Sequence, residues 1–358
     1  MPKKRIEYLD GIKGFSILLV VFCHNVLLPY DSILSNVLMI ICNTAVPLFL
    51  MVSGVLLNSA KSFSWKKHLV KMGKIYIVLS VWKAICLIVT MLFSDVSFST
   101  SQLINYLFFC GSIDNVTSIS WYMEAFLMVL IFHPITYFIL KKGDEGKTLF
   151  NYIVAVLFFA SFGTAFVELM FAIIQKYFEI GVPSLWNMKY IFPFWQSSNI
   201  IFFFLFGTFL KINEDKLNFN IPERLKKFIP YICIAVGILG LAAAKYAIFQ
   251  TIRWDGIYID MGYSRISTII LAYGFWNLFY EKENFVVKFL ARFFGKYTMG
   301  IFYMHYIVLF VLSIGLYQYL WDYSSIGLNL LKTIVVASLC AVATKVISYI
   351  PVLKQLVK

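Results

Sequence analysis

The sequence predicts an all-α fold, a polytopic membrane protein of about ten transmembrane helices with both termini in the cytoplasm. Three observations lead there. The 358-residue chain is 61% hydrophobic and 14% charged, where soluble domains carry roughly 25% charged residues. Apolar runs near the ~20 residues that cross a bilayer recur from one end to the other. Basic residues collect in every second connection, the pattern of short cytoplasmic loops.

The runs lie at 12–30, 34–57, 69–93, 120–140, 149–172, 198–212, 228–250, 263–280, 297–320 and 328–350. Backbone polar groups find no water in hydrocarbon, so each run is read as a helix, which pairs them internally. The first span carries Asp10, Lys13 and His24 on otherwise apolar sequence. The third holds Lys83 well inside, a cation that needs a partner or water. The fourth opens from the outside with Ser-Trp-Tyr-Met-Glu at 120–124, which puts Glu124 at a depth similar to His24. Its His133 precedes Pro134 and reads as structural. His305 falls in the inner half of the ninth span. Lys245 and Arg265 lie near the outer surface, as anion ligands or interfacial anchors. The outer connection at 173–197 holds Pro183, Trp186, Pro193 and Trp195 and is predicted to form an aromatic interfacial cap.

Charge sets the orientation. The N-terminus, the connections near 61–74, 141–147, 211–227 and 282–296, and the C-terminus together hold 23 basic residues. The opposite connections hold Lys176, Lys189 and Arg253. The asymmetry supports an even number of spans and accounts for the net charge of +13. Spread over loops in this way, the charge argues against nucleic acid as a partner. No small-residue cleavage pattern follows the first span, so it is not read as a signal peptide. One membrane-embedded domain over 1–358 is expected, with no appended soluble domain.

Several chemistries are excluded by motif. The six cysteines sit mostly in spans and read as small apolar fillers. Four histidines and no cysteine pair at ligand spacing argue against zinc. Gly-x-Ser-x-Gly and the phosphate-binding Gly-rich loop are absent. No histidine is followed five residues later by aspartate. What remains is the first span. Lys13 and His24 are eleven residues apart, close to a whole number of turns, so they share a face about 16 Å apart along the axis. Asp10 falls on much the same face. An elongated polar ligand can touch cation and imidazole together; the competing reading is a histidine that packs and bonds to a neighbouring span. Glu124 is either a carboxylate that orients that imidazole or an acid placed by the helix dipole.

Four stretches, taken in order, resemble the integral-membrane acyltransferases of acyltransferase family three, the O-acetylases of bacterial surface glycans. They are Tyr-Leu-Asp-Gly-Ile-Lys-Gly at 8–14 followed by His24, Ala-Val-Pro-Leu-Phe-Leu-Met-Val-Ser-Gly at 45–54, Lys-Lys-His-Leu-Val-Lys at 66–71, and Gly-Lys-Tyr-Thr-Met-Gly-Ile-Phe-Tyr-Met-His at 295–305. Trp-Tyr-Met-Glu at 121–124 matches a further common element. The family prefers Arg where this chain has Lys13, and Arg again where it has His68 and Lys71. The resemblance implies transfer of an acyl group, most simply acetyl, from cytoplasmic acetyl-CoA as co-substrate to a hydroxyl of an envelope glycan or lipid-linked sugar, in the bacterial cytoplasmic membrane, with no permanently bound cofactor and no metal. It makes His24 the general base and Glu124 its catalytic partner. Lys13 and Lys71 become acyl-CoA ligands, and Asp10, Ser53 and His305 supporting residues. A covalent acyl-histidine and a homodimer stay open. The alternative is a transporter or flippase for a glycan or lipid-linked intermediate, which ten spans with buried charges also suit; a third is a sensor without turnover.

Overall fold

The computed structural model describes residues 6–25, 33–94, 97–109, 121–163, 198–217, 222–249, 265–320 and 325–357, with short pieces at 166–167, 170, 173–174, 177–179 and 263. Among these there is helix and no strand. The principal helices are α1 (Glu7–Asn25), α2 (Ile33–Cys42), α3 (Ala45–Asn58), α4 (Trp65–Phe93), α5 (Thr100–Phe108), α6 (Trp121–Leu140), α7 (Gly143–Phe158), α8 (Ser198–Ile212), α9 (Ile229–Phe249), α10 (Ile266–Phe279), α11 (Phe285–Phe293), α12 (Thr298–Leu320) and α13 (Ile326–Ile347). A helix therefore lies over each predicted run. Among the described residues, seven helical stretches are long and apolar enough to cross a membrane: Ile33–Asn58, Trp65–Phe93, Trp121–Leu140, Gly143–Gly163, Arg224–Ala243, Phe285–Leu312 and Ile326–Ile347. α8 and α10 are apolar but shorter, and α1 carries too many charges in its first turns. The span 224–243 leaves all but 11% of its most apolar window unburied. A soluble fold does not present so much apolar surface to water, whereas lipid accepts it. The residues of the predicted cap, Pro183, Trp186, Pro193 and Trp195, and the side chain of Lys245 lie outside the described residues.

The chain forms two compact units, each assembled from separated segments. One contains residues 1–29, 60–134 and 284–358, and the other 30–59 and 135–283.

In the second unit, small residues set the spacing of helix pairs. α3 meets α8 so closely that a Cβ on Gly54 would strike the Phe204 carbonyl, and one on Gly207 the Met51 carbonyl. Helices in lipid gain little from apolar burial alone, so close backbone approach through small residues is what holds such pairs. Asn58 ties the pair to α6, donating to Thr208 at 3.1 Å and accepting from Thr136 at 3.0 Å. Phe158, Phe162, Phe202 and Phe203 interlock α8 with α7 and with the π-helical turn Phe159–Gly163 that follows α7, and Asn151 and Asn213 exchange amide bonds of 3.2 and 2.9 Å. The predicted run 34–57 is broken at Asn43 and Thr44. Pro47 explains the break. It has no N–H to offer the Asn43 carbonyl, and it sits in the first turn of α3, where helices tolerate proline.

In the first unit α1 packs on α11, α12 and α13. Gly11 faces Val287, and Gly14 the Leu290 carbonyl. α6 contributes its residues up to Pro134. That proline lies inside the helix and leaves the carbonyl four residues back, on Leu130, without its helical donor. His68 supplies one: its Nε2 lies 3.0 Å from Leu130 O. A carbonyl only accepts, so Nε2 carries the hydrogen. The His133 and Phe63 rings pack on His68 at 5.5 and 5.2 Å.

Gly207→Ala forces α3 and α8 apart and is expected to lower stability by about 1–3 kcal/mol. Thermal unfolding of the detergent-solubilised protein checks this; an unchanged transition would mean that the Gly207–Met51 approach does not hold the pair.

Candidate functional site

α1 and α12 meet at both ends of one stretch. Gly295, in the 3₁₀ turn that leads into α12, lies against the Asp10 carbonyl with no room for a Cβ. At the other end the His305 ring lies 5.3 Å from the His24 ring, tilted by 37°. Two contacts in the same order along both helices mean that they run parallel. Two of the sequence stretches, 8–24 and 295–305, are thus one object.

The same geometry puts His305 and His24 at one level. The sequence puts it in the inner half of its span and His24 toward the outer leaflet; the structure sets the two rings side by side. Because Gly295 starts level with Asp10, α12 climbs beside α1 and reaches the level of His24 at residue 305.

His24 is exposed, whereas His305 is fully buried at 0%. Tyr306 lies edge-on to His24 at 5.9 Å. The next residue of α1, Asn25, is buried and donates to Asn329 O at 3.3 Å and Thr333 Oγ1 at 3.4 Å, which ties this end of α1 to α13. His305 Nδ1 lies 3.1 Å from Ile301 O and 2.7 Å from Phe302 O, so it donates to its own helix. On α1, α12 and α13 four buried polar atoms have no hydrogen-bond partner among the described residues: Ser16 Oγ, Tyr303 OH, His305 Nε2 and Asn329 Oδ1. Sites that hold water or substrate leave such atoms.

At the opposite end of α1, Lys13 is half-buried and pairs with Asp10 one turn before it. The arc between the cation and the imidazole is packed, with Ser16, Ile17 and Val20 all buried. Two cations that sequence reasoning overlooked lie at this end. Lys296 follows Gly295 and is exposed, and Arg292 Nε lies 3.9 Å from Glu7 Oε1. Lys296 was visible as the second residue of the late segment. Arg292 reaches α1 only because α11 folds back along it.

Glu124 is occupied elsewhere. Lys83 Nζ lies 2.5 Å from its Oε1 and 5.3 Å from the centre of the Tyr106 ring. This is the partner that a cation deep in the third span required. The ring neighbours of His24 are His305 and Tyr306, so the carboxylate and the imidazole sit in separate contacts. Aromatic rings of α12 run between them: Tyr122, two residues before Glu124, meets Phe302 at 5.4 Å, and Phe302 meets His305 at 6.1 Å. Trp82, next to Lys83, stacks on Tyr303 at 5.4 Å. Lys71 is exposed near the start of α4, and Ser53 is half-buried on α3 in the other unit.

Removing one member of a buried ion pair leaves a stranded charge, at about 3–5 kcal/mol. Lys83→Met alone is expected to destabilise on that scale, and Lys83→Met with Glu124→Leu to recover most of it. Thermal unfolding of the four proteins of the cycle is the measurement; a double variant no more stable than Lys83→Met would show the two side chains to be uncoupled.

The family model of acyltransferase family 3, described as an acyltransferase domain, matches residues 6–352. Neither the curated proteins nor the solved structures gave a match. The matched range contains every helix from α1 to α13, the parallel pair that carries His24 and His305 included. The chain belongs to acyltransferase family 3 and is a membrane acyltransferase.

Proposed function

We propose that the protein moves an acyl group, acetyl in the simplest case, from cytoplasmic acyl-CoA to a hydroxyl of an envelope glycan or lipid-linked sugar, with His24 as general base. It works as a multi-pass protein of the bacterial cytoplasmic membrane with both termini inside. The observation that carries this reading is an exposed imidazole fixed at one end of a registered helix pair whose other end is cationic.

The chemistry follows from those two ends. His24 takes the proton of the acceptor hydroxyl as its oxygen attacks the thioester carbonyl. The carbon–sulfur bond breaks, and His24 passes the proton to the departing thiolate, giving the ester and the free thiol of CoA. Positioned proton transfer of this kind is worth typically about 10²–10⁴-fold. Lys13, with Lys296 and Arg292 beside it, offers charge to the phosphates of CoA, and Lys71 adds a further cation on α4. Lysine binds phosphate as a point charge, without the planar fork of arginine, and Lys13 shares its charge with Asp10. Because the arc over Ile17 is packed, the pantetheine arm passes beside α1 rather than lying on it. Glu124 acts through Lys83, holding α4 and α6 beside α12. Asp10 and Ser53 support the backbone segments on which they lie.

His24→Ala is expected to reduce acyl transfer by at least ~100-fold while the thermal transition stays put, since the ring is exposed. Lys13→Ala raises KM for acyl-CoA more than it lowers kcat. Acyl-CoA consumption by purified protein reads both, and full turnover in His24→Ala removes the base from the mechanism.

Orientation is the second test, since acyl-CoA is available on the cytoplasmic side alone. With the six native cysteines replaced, single cysteines within 94–119 and 173–197 are expected to react with a membrane-impermeant thiol reagent on intact cells. Those within 141–148 and 213–227 stay protected. The reverse pattern would place Lys13 away from any CoA and end the acyl-CoA mechanism.

A further inference from the structure

We infer that His305 is a positioning residue for His24: when the His24 ring turns its edge to His305 as substrate binds, the Nε2 lone pair of His305 accepts a hydrogen bond from one ring nitrogen of His24, which leaves the other nitrogen free toward the acceptor hydroxyl. The inference rests on the reading of His24 as base.

The tautomer of His305 is decided by its own helix. Nδ1 faces two carbonyls, at 3.1 and 2.7 Å, and carbonyls accept, so Nδ1 holds the hydrogen. In the neutral ring Nε2 is then a lone pair. It is buried and has no partner among the described residues. A stranded buried acceptor is destabilising, because it gives up water and gains no donor in return. With Nδ1 turned back onto α12, the Nε2 edge faces away from its own backbone. The His24 ring lies 5.3 Å off at 37°, close enough for one N–H···N bond once the exposed His24 ring turns an edge to Nε2.

The helices hold the two rings at this distance from both sides. Asn25 fixes the end of α1 on α13, and the Asp10–Gly295 contact fixes the start of α12 on α1. During transfer the proton taken from the hydroxyl enters and leaves through the free nitrogen of His24. The N–H directed at His305 stays in place throughout and supports the transient imidazolium. His305 thus does what an orienting carboxylate does in other sites, as a neutral acceptor suited to a site with little water.

Three variants and one spectrum test this. His305→Phe fills the space and removes both nitrogens. His305→Asn keeps an amide N–H near the place of Nδ1 and has no atom near that of Nε2. His305→Gln brings a carbonyl oxygen near the place of Nε2. Expected are kcat values lowered roughly 10–100-fold in the first two, with KM for acyl-CoA changed less than about two-fold, and recovery to within several-fold of the parent in His305→Gln. Undiminished kcat in His305→Phe overturns the inference. So does a loss in all three that tracks a fall in thermal stability, which is what packing alone would give. The spectrum needs no activity: ¹⁵N NMR of histidine-labelled protein in bilayers with acyl-CoA bound should show His24 as one tautomer in the parent and as a mixture in His305→Phe or His305→Asn. A mixture in the parent overturns the inference even if every variant fails to fold. Full transfer by His24→Ala, with a single His24 tautomer in the parent, would instead sink the base assignment and leave the His24–His305 contact standing.

Discussion

The approach of α1 to the turn that starts α12 is so close that neither Asp10 nor Gly295 has slack. The Asp10 carbonyl occupies the space where any side chain at 295 would begin. Between helices in lipid the hydrophobic term nearly vanishes, because tails are as apolar as leucine, and distance becomes the variable that matters. Gly11 and Gly14 let α11 come equally near on the adjoining surface. From that fixed point α12 has one course along α1, and that course delivers His305 to His24. The side chains with chemistry owe their meeting to residues that have no side chain.

Much of this was legible in the sequence. Composition and apolar runs gave the helical membrane class, and a helix lies over each run. The eleven-residue spacing placed Lys13 and His24 on one face of a helix that proves continuous from Glu7 to Asn25. Other features were hidden for physical reasons. The level of His305 depends on where the 3₁₀ turn docks, and no periodicity encodes a docking point. Lys83 advertised its need of a partner, but several polar residues could meet it in space, and Glu124 was assigned to the imidazole first. Arg292 lies near α1 through a fold-back of α11 that charge patterning does not report. The break before Pro47 was readable in principle, since proline four residues past Asn43 removes that helical bond; the uninterrupted hydrophobicity of 34–57 concealed it.

Buried polarity divides into two kinds in the first unit. Lys83 and Glu124 satisfy each other, and Asn25 spends its donors on α13. These contacts are closed and serve the architecture. Ser16, Tyr303, His305 and Asn329 each keep an atom unmatched among the described residues, all on the three helices that surround His24. A core arranged only for stability would have matched or removed them.

The bond from His68 to the Leu130 carbonyl has an evolutionary corollary. Pro134 creates the vacancy and His68 fills it, so the two positions are not free to change in either order. A chain that loses His68 first is left with a bare carbonyl in a buried place. A chain that first exchanges Pro134 for an ordinary residue regains the helical donor, and His68 then becomes dispensable. Mutational paths through this site are therefore one-way, and related chains with a different residue at 68 should differ at 134 as well, or present another donor to the same oxygen.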